Sequence, residues 1–325
     1  MASHDLNTTV RECVSCRRCY DSVVQFCEDC FVELISIEFI PRVIGGRYRL
    51  ERVIARGGMG RVFAAVDLGE PREVAVKVLR ASVMAEPLAQ DRFRREAGFA
   101  AALHNPQVVA VYDYGVMPDA SAFVVMELVG EPSLREEMKR EGRLAPARAV
   151  AVLAGAAGAL HAAHKAGLVH RDLKPESIAL LQPSDGQPPG VKLLGFSFAR
   201  VASGQLFIPG TTARLQARGY LPRTPTYLSP EQFRGEEVDL RADVYSLGVI
   251  AYEALAGKPP FAAQRVGDFG FKLLNETAQP LRALNPKVSP LLEAVIARAL
   301  EKDPAGRQQN AAEFKRELLG AAQVG

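Results

Sequence analysis

All five cysteines of this 325-residue chain fall between residues 13 and 30, and residues 31–325 contain none. Cys13-x2-Cys16 and Cys27-x2-Cys30 form two CxxC pairs separated by ten residues. A CxxC turn lets two thiolates converge on one ion, and two such turns complete a closed tetrahedral Zn²⁺ site of the structural kind. So short a segment has no room for a hydrophobic core of its own, so metal binding would supply its folding energy. A disulfide pair and a redox-active or cluster-binding site are the competing readings. Disulfides are disfavoured in a cytosolic setting. Cys19 is the odd member: Cys16-x2-Cys19 could replace Cys13-x2-Cys16 as the first pair, and otherwise Cys19 is a spare thiol.

The rest of the chain has the length of one two-lobed domain. Its 40 basic and 37 acidic residues leave a net charge of +3. That balance does not argue for a nucleic-acid or anionic-membrane partner, and the local cluster Arg11, Arg17 and Arg18 reads as solvated surface. The first 12 residues carry His4, Asp5 and Glu12 and no apolar stretch of a secretory signal. The longest apolar run, residues 149–160, is mostly alanine and glycine and too short to span a bilayer. The expectation is a soluble, cytoplasmic chain with no membrane span and no nucleic-acid partner.

Residues 31–46 read as a connector, with Pro41, Gly45 and Gly46 as breakers. Strands are expected at 48–54, 61–66, 73–79, 108–112 and 123–128, and a helix at 90–103. After Gly130 the pattern turns helical. Pro146 starts and Gly167 stops a long alanine-rich helix, and further helices are expected at about 243–256, 289–301 and 310–320. The division is residues 1–40 for the cysteine segment and connector, then a domain over 47–322. Its strand-rich lobe covers about 47–129 and its helical lobe about 130–322.

Several strings within that domain carry chemistry. Ala55-Arg56-Gly57-Gly58-Met59-Gly60-Arg61-Val62 turns a strand back on a strand, and its glycines let backbone N–H groups approach phosphates without a Cβ in the way. In Val74-Ala75-Val76-Lys77-Val78-Leu79 period two puts Ala75 and Lys77 on one face, and a lysine inside so apolar a strand is unusual for a surface position. Glu96 lies on the apolar-sided face of the helix at 90–103, beside Phe93, Ala100 and Leu103. Met126-Glu127-Leu128-Val129-Gly130 joins the two lobes. Then come His170-Arg171-Asp172-Leu173-Lys174-Pro175-Glu176-Ser177, Gly195-Phe196-Ser197, Thr224-Pro225-Thr226-Tyr227-Leu228-Ser229-Pro230-Glu231, Asp243-Val244-Tyr245-Ser246-Leu247-Gly248 and Arg307.

As an ordered set these strings resemble the bacterial, eukaryotic-like Ser/Thr protein kinase family over about residues 47–322. The cysteine spacing resembles the small zinc ribbons found ahead of many bacterial kinase domains. The resemblance implies an α+β bilobal protein-kinase fold, with a β-rich N-lobe, a helical C-lobe and ATP between them, preceded by a small zinc ribbon. It implies a glycine-rich loop at Gly57, Gly60 and Val62, with Ala55 in place of its first glycine. Ala75 lines the adenine slot, Lys77 reaches the α/β-phosphates and Glu96 pairs with Lys77. Glu127 and Val129 offer backbone groups to adenine. Asp172 accepts the substrate hydroxyl proton, Lys174 steadies the γ-phosphate and Thr224 orients Asp172. Asp243 caps the catalytic loop from below, and Arg307 pairs with Glu231. One of Thr211, Thr212, Thr224 or Thr226 is expected to be phosphorylated and to pair with Arg171.

Two positions depart from the family where it coordinates Mg²⁺. Ser177 stands where an asparagine is expected, and Gly195 stands where the aspartate of D-F-G is expected. Mg²⁺ requires hard oxygen ligands in octahedral geometry. Losing its carboxylate costs on the order of 4 kcal/mol, about a thousandfold in rate. Asp185 and Glu176 are the nearest acids in sequence, and neither is expected to point inward. Two readings stay open: a pseudokinase kept for binding a signalling partner, and a working kinase that binds metal atypically and phosphorylates a protein substrate. A zinc-ribbon protein that recruits nucleic acid is the third and least supported. Mg²⁺ is therefore a doubtful cofactor, beside ATP and a structural Zn²⁺ on Cys13, Cys16, Cys27 and Cys30.

Overall fold

The computed structural model describes residues 9–57, 59–85, 88–130, 132–182, 190–196, 226–263 and 265–323. The described residues up to Ala101, with Ala110–Val129, form one unit. Ala102–Val109 and those from Gly130 onward form another.

The first unit holds two antiparallel sheets. One has the order β2-β1-β3, from Thr9–Glu12 (β1), Cys19–Tyr20 (β2) and Ile35–Pro41 (β3). The other has the order β4-β5-β6-β7-β9-β8. Its strands are Val43–Ile44 (β4), Tyr48–Gly57 (β5), Gly60–Asp67 (β6), Arg72–Leu79 (β7), Val111–Val116 (β8) and Ala122–Glu127 (β9). Cross-strand partners share a face. The register sets Val62, Lys77 and Val124 in one row and Ala64, Ala75 and Met126 in the next. The alternate residues Phe63, Ala65, Val74, Val76, Val78, Phe123 and Val125 are buried on the opposite face. There they form one core with Val10, Cys19 and Ile37 of the small sheet.

The cysteine-bearing sheet thus covers the back of the large sheet and borrows its core, which corrects the expectation of a coreless segment. The connector expected at 31–46 is likewise corrected. Its apolar residues build β3 and β4, and Gly45 and Gly46, at φ 59° and 68°, form the turn that pairs Ile44 with Tyr48. Glycine reaches that left-handed region without penalty. Helix α1, Ala89–Ala102, buries Ala89, Phe93, Ala97 and Ala100.

In the second unit, α2 (Leu134–Glu141) begins with a reciprocal capping box between Ser133 and Glu136. The alanine-rich α3 runs Pro146–Lys165, with proline in the first turn and Gly167 at φ 80° just beyond its end. It is the one helix among the described residues long and apolar enough to cross a membrane, and ten of its residues are buried within the protein. A short hairpin, β10 (Ile178–Leu180) with β11 (Val191–Leu193), follows the catalytic-loop string. Helices Pro230–Arg234 (α4), Arg241–Ala256 (α5), Val266–Asn275 (α6), Leu281–Leu284 (α7), Pro290–Ala299 (α8) and Ala311–Gln323 (α9) complete it.

Candidate functional site

Cys13, Cys16, Cys27 and Cys30 converge, with all four sulfurs within 4.8 Å of one another. The backbone N–H of Cys16 donates to Cys13 Sγ at 3.5 Å and that of Cys30 to Cys27 Sγ at 3.4 Å, so each CxxC turn folds around its first sulfur. Cys16 Sγ and Cys27 Sγ lie 3.7 Å apart. Four sulfurs about 2.3 Å from a central Zn²⁺ in a tetrahedron are themselves about 3.8 Å apart, so the donor set fits that ion. The Tyr20 hydroxyl, 3.2 Å from Cys27 Sγ, holds that thiol down to about 6, while hydrogen bonding among the clustered sulfurs pushes Cys30 up to about 12, so without an ion the group favours one thiolate rather than four. Cys19 stands outside the group. Burial pushes its thiol up to about 12, and it packs in the shared sheet core as an inert apolar residue.

In the second unit the string at 170–177 is held from several sides. Asp243, on α5, accepts the backbone N–H groups of His170 at 2.7 Å and Arg171 at 2.8 Å. His164 Nε2 donates to the same carboxylate at 2.8 Å. Burial would raise the Asp243 carboxyl, but the His164 and His170 interactions outweigh it and hold it below its usual value. Burial lowers His170 and keeps it neutral. Its Nε2–H donates to Leu194 O at 2.8 Å, while its Nδ1 accepts from the Asp172 N–H at 3.4 Å. One imidazole thereby ties Asp172 to the residue that precedes Gly195. Arg171 is held in the left-handed region at φ 61°, and Gln232 Nε2 donates to its carbonyl at 2.9 Å. Lys174 Nζ lies 3.1 Å from Asp172 Oδ2. Arg307 makes two hydrogen bonds to Glu231, at 2.7 and 2.8 Å, and both residues are buried. This is the pairing expected from sequence.

The first unit carries the remaining expected residues. Gly57 pairs with Gly60 across the end of the hairpin of β5 and β6. A Cβ at Gly60 would lie 1.9 Å from Val78 O, so packing against β7 alone demands glycine there. Lys77 and Glu96 are both half-buried, one on β7 and the other on α1. The Glu127 N–H donates to Ala110 O at 2.9 Å and is therefore not free for a base. Val129 follows it, half-buried. Thr224, Thr211, Thr212, Asp185, Gly58 and Ser197 lie outside the described residues.

His164, Gln232, Tyr20 and Glu12 were not singled out from sequence. For Glu12 a signal existed: it follows Val10 by two in a strand, so it shares the buried face.

The protein kinase domain family matches residues 48–317. The chain belongs to the protein kinase family. The chain is 38% identical over 283 residues to the serine/threonine-protein kinase pkn3 of Myxococcus xanthus, covering 86% of this chain and 51% of that protein. It is 40% identical over 283 residues to the serine/threonine-protein kinase PknB of Mycobacterium tuberculosis, covering 86% and 43%. Among solved structures, the PknI kinase domain of M. tuberculosis superposes with a TM-score of 0.66 at 28% identity, over 85% of this chain and 96% of that one. These are bacterial Ser/Thr kinases, and the chain spans about half or less of the length of the curated relatives it matches.

A kinase of this family ordinarily uses Mg²⁺ with ATP, and the described residues at the two expected ligand positions, Ser177 and Gly195, do not fit that ion. Leu194 N–H donates to Ser177 O at 2.8 Å, which sets Gly195 beside Ser177. A Cβ at Gly195 would stand 3.6 Å from Ser177 Oγ, so the two positions face each other. Between them they offer one neutral hydroxyl. Glu176 turns elsewhere and is engaged by Arg135 Nε at 3.0 Å.

Proposed function

We propose that this chain is a signalling protein of the Ser/Thr kinase family that binds ATP and whose phosphoryl transfer is impaired. The facing pair Ser177 and Gly195 carries the reading, because the two replace a carboxylate and an amide with a hydroxyl and a hydrogen. Lys77, on the face it shares with Val62 and Ala75, supplies a cation to the nucleotide phosphates, and the apolar rows beside it receive the base. Asp172 is the acceptor for a substrate hydroxyl proton and Lys174 a cation for the γ-phosphate, with Thr224 orienting Asp172. Cys13, Cys16, Cys27 and Cys30 would hold Zn²⁺, which stabilises the small sheet when bound.

A second reading, an active kinase with atypical metal use, is favoured by one observation. Asp172 and Lys174 stand 3.1 Å apart on a loop whose N–H groups at His170 and Arg171 are held by Asp243.

The test is transfer of radiolabelled phosphate from ATP to a generic basic protein by the zinc-loaded chain, beside its Asp172→Asn variant. The expected result is transfer at the Asp172→Asn background, rising about a thousandfold in Gly195→Asp with Ser177→Asn. Aspartate tolerates the φ of 81° at Gly195 better than most residues. Wild-type transfer that vanishes in Asp172→Asn would establish the second reading.

A further inference from the structure

Glu12 ends β1 immediately before the first cysteine ligand, and its side chain is fully buried. One carboxylate oxygen takes Arg56 Nη2. Arg56 precedes Gly57 on β5 and stands directly opposite Arg61 on β6, one residue from the turn of the glycine-rich hairpin. Like charges directly opposite on paired strands repel. The repulsion is felt at Arg61, whose cation is disfavoured first by burial and also by Arg56, while Glu12 supports it. The second oxygen of Glu12 and Nη1 of Arg61 are both buried without a hydrogen-bond partner among the described residues. The Glu12 carboxylate is hydrogen-bonded to Arg56 of the β5 arm and acts on Arg61 of the β6 arm, directly opposite, through its charge alone.

The segment between β1 and β2 grips β5 at one further point, an antiparallel β-bridge of Arg18 with Arg52 in which Val53 N–H donates to Arg17 O at 3.0 Å. Arg17, directly after the first CxxC, adopts φ 64° and closes that turn by donating its N–H to Cys13 O at 2.9 Å. The turn that folds around the Cys13 sulfur is the turn that bonds to β5.

We infer that Glu12 is a positioning residue for the glycine-rich hairpin, so that the four-cysteine unit sets the pose of the loop that receives the nucleotide phosphates. The nucleotide half of this rests on the ATP reading above; the hairpin half does not. Without Glu12 the two arginines push the arms apart next to Gly57 and Gly60. Backbone N–H groups that must point together at one phosphate then lose their common direction.

The experiment compares the full zinc-loaded chain with Glu12→Gln and with Glu12→Gln plus Arg61→Met. Three quantities are read: zinc content, amide hydrogen exchange, and affinity for ATP. Glu12→Gln is expected to keep its zinc and to raise exchange of the amides at 55–62 about tenfold, the worth of one charged hydrogen bond. It should leave those at 74–78 unchanged and weaken ATP by a similar factor. Adding Arg61→Met removes the repulsion and should return the hairpin to its wild-type protection. Unchanged exchange at 55–62, loosening spread equally over 74–78, or no recovery with Arg61→Met would each overturn the inference. Hairpin loosening and recovery in a chain that binds no ATP would support the inference and sink the ATP reading instead. If Glu12→Gln does not fold, Arg61→Met alone decides: the hairpin gains protection, and a loss there overturns the inference.

Discussion

Truncating Ile37 tests whether the cysteine-bearing sheet is part of the kinase's first unit or only tethered to it. Ile37 lies on β3, is 2% exposed, and belongs to one core with Val53, Phe63, Val76 and Val125 of the large sheet. Ile37→Ala removes three carbon-sized groups, worth about 0.8 kcal/mol each, and adds a cavity term, about 3 kcal/mol in all. Phe31→Ala deletes more atoms, but Phe31 is 83% exposed. That change should stay within about 0.5 kcal/mol. The assay is native-state hydrogen exchange at 74–78 on β7, with urea denaturation by circular dichroism alongside. If the core is shared, Ile37→Ala speeds exchange in the centre of β7 by about a hundredfold, because these amides open with their unit. Loosening of residues 9–41 with β7 protection and the urea midpoint untouched would refute the shared core. So would equal effects of the two substitutions.

Two further outcomes follow from buried charge. Arg307→Met strands the Glu231 carboxylate, which is only 4% exposed, and should cost about 3–5 kcal/mol in urea denaturation; adding Glu231→Leu should recover much of that loss, and equal destabilisation of single and double variants would contradict the pairing argument. Asp67 is held by Arg47 Nε at 2.6 Å, which lowers its carboxyl from 3.8 to about 2. Its contribution is complete above the unfolded-state value near 4 and disappears as pH falls toward 2. Asp67→Asn should flatten that acid limb, and parallel limbs for the two proteins would refute the assignment.

The large sheet was legible because period two is hard to disguise in Val74-Ala75-Val76-Lys77-Val78, and the observed register puts Lys77 in a row with Val62 and Val124. The helical unit was legible through its punctuation, Pro146 before α3 and Gly167 after it. The cysteine segment was half legible. Spacing identified Cys13, Cys16, Cys27 and Cys30, but spacing is local and says nothing of which distant surface a short sheet covers. Gly45 and Gly46 misled because the same residue type that breaks a chain into linkers also makes the tightest turns. Glu12 was missed because an acid beside a cysteine reads as surface until its alternation with Val10 is noticed. Cys19 could not be resolved from spacing at all, since its exclusion depends on the core into which it is packed.

The two metal positions differ from the rest of the kinase site in one physical respect. Several described supports of the loop are hydrogen bonds to its backbone or buried ion pairs: Asp243 on two N–H groups, His170 on Leu194 O, Gln232 on Arg171 O, Arg307 on Glu231. Losing any of these would cost stability as well as chemistry. Among the described residues, no side-chain hydrogen bond is made at Ser177 or Gly195. Ser177 meets its neighbours through backbone atoms, donating its N–H to Lys174 O at 2.8 Å and accepting from Leu194 N–H at 2.8 Å. The backbone bonds that set the register of β10 and β11 do not use either side chain, although any side chain at Gly195 must accept φ 81°. Under the proposed reading, impairment at these two positions is chemical rather than structural. On that reading, restoring two side chains should be enough to restore transfer, and the face of β7 that carries Lys77 is left as it is.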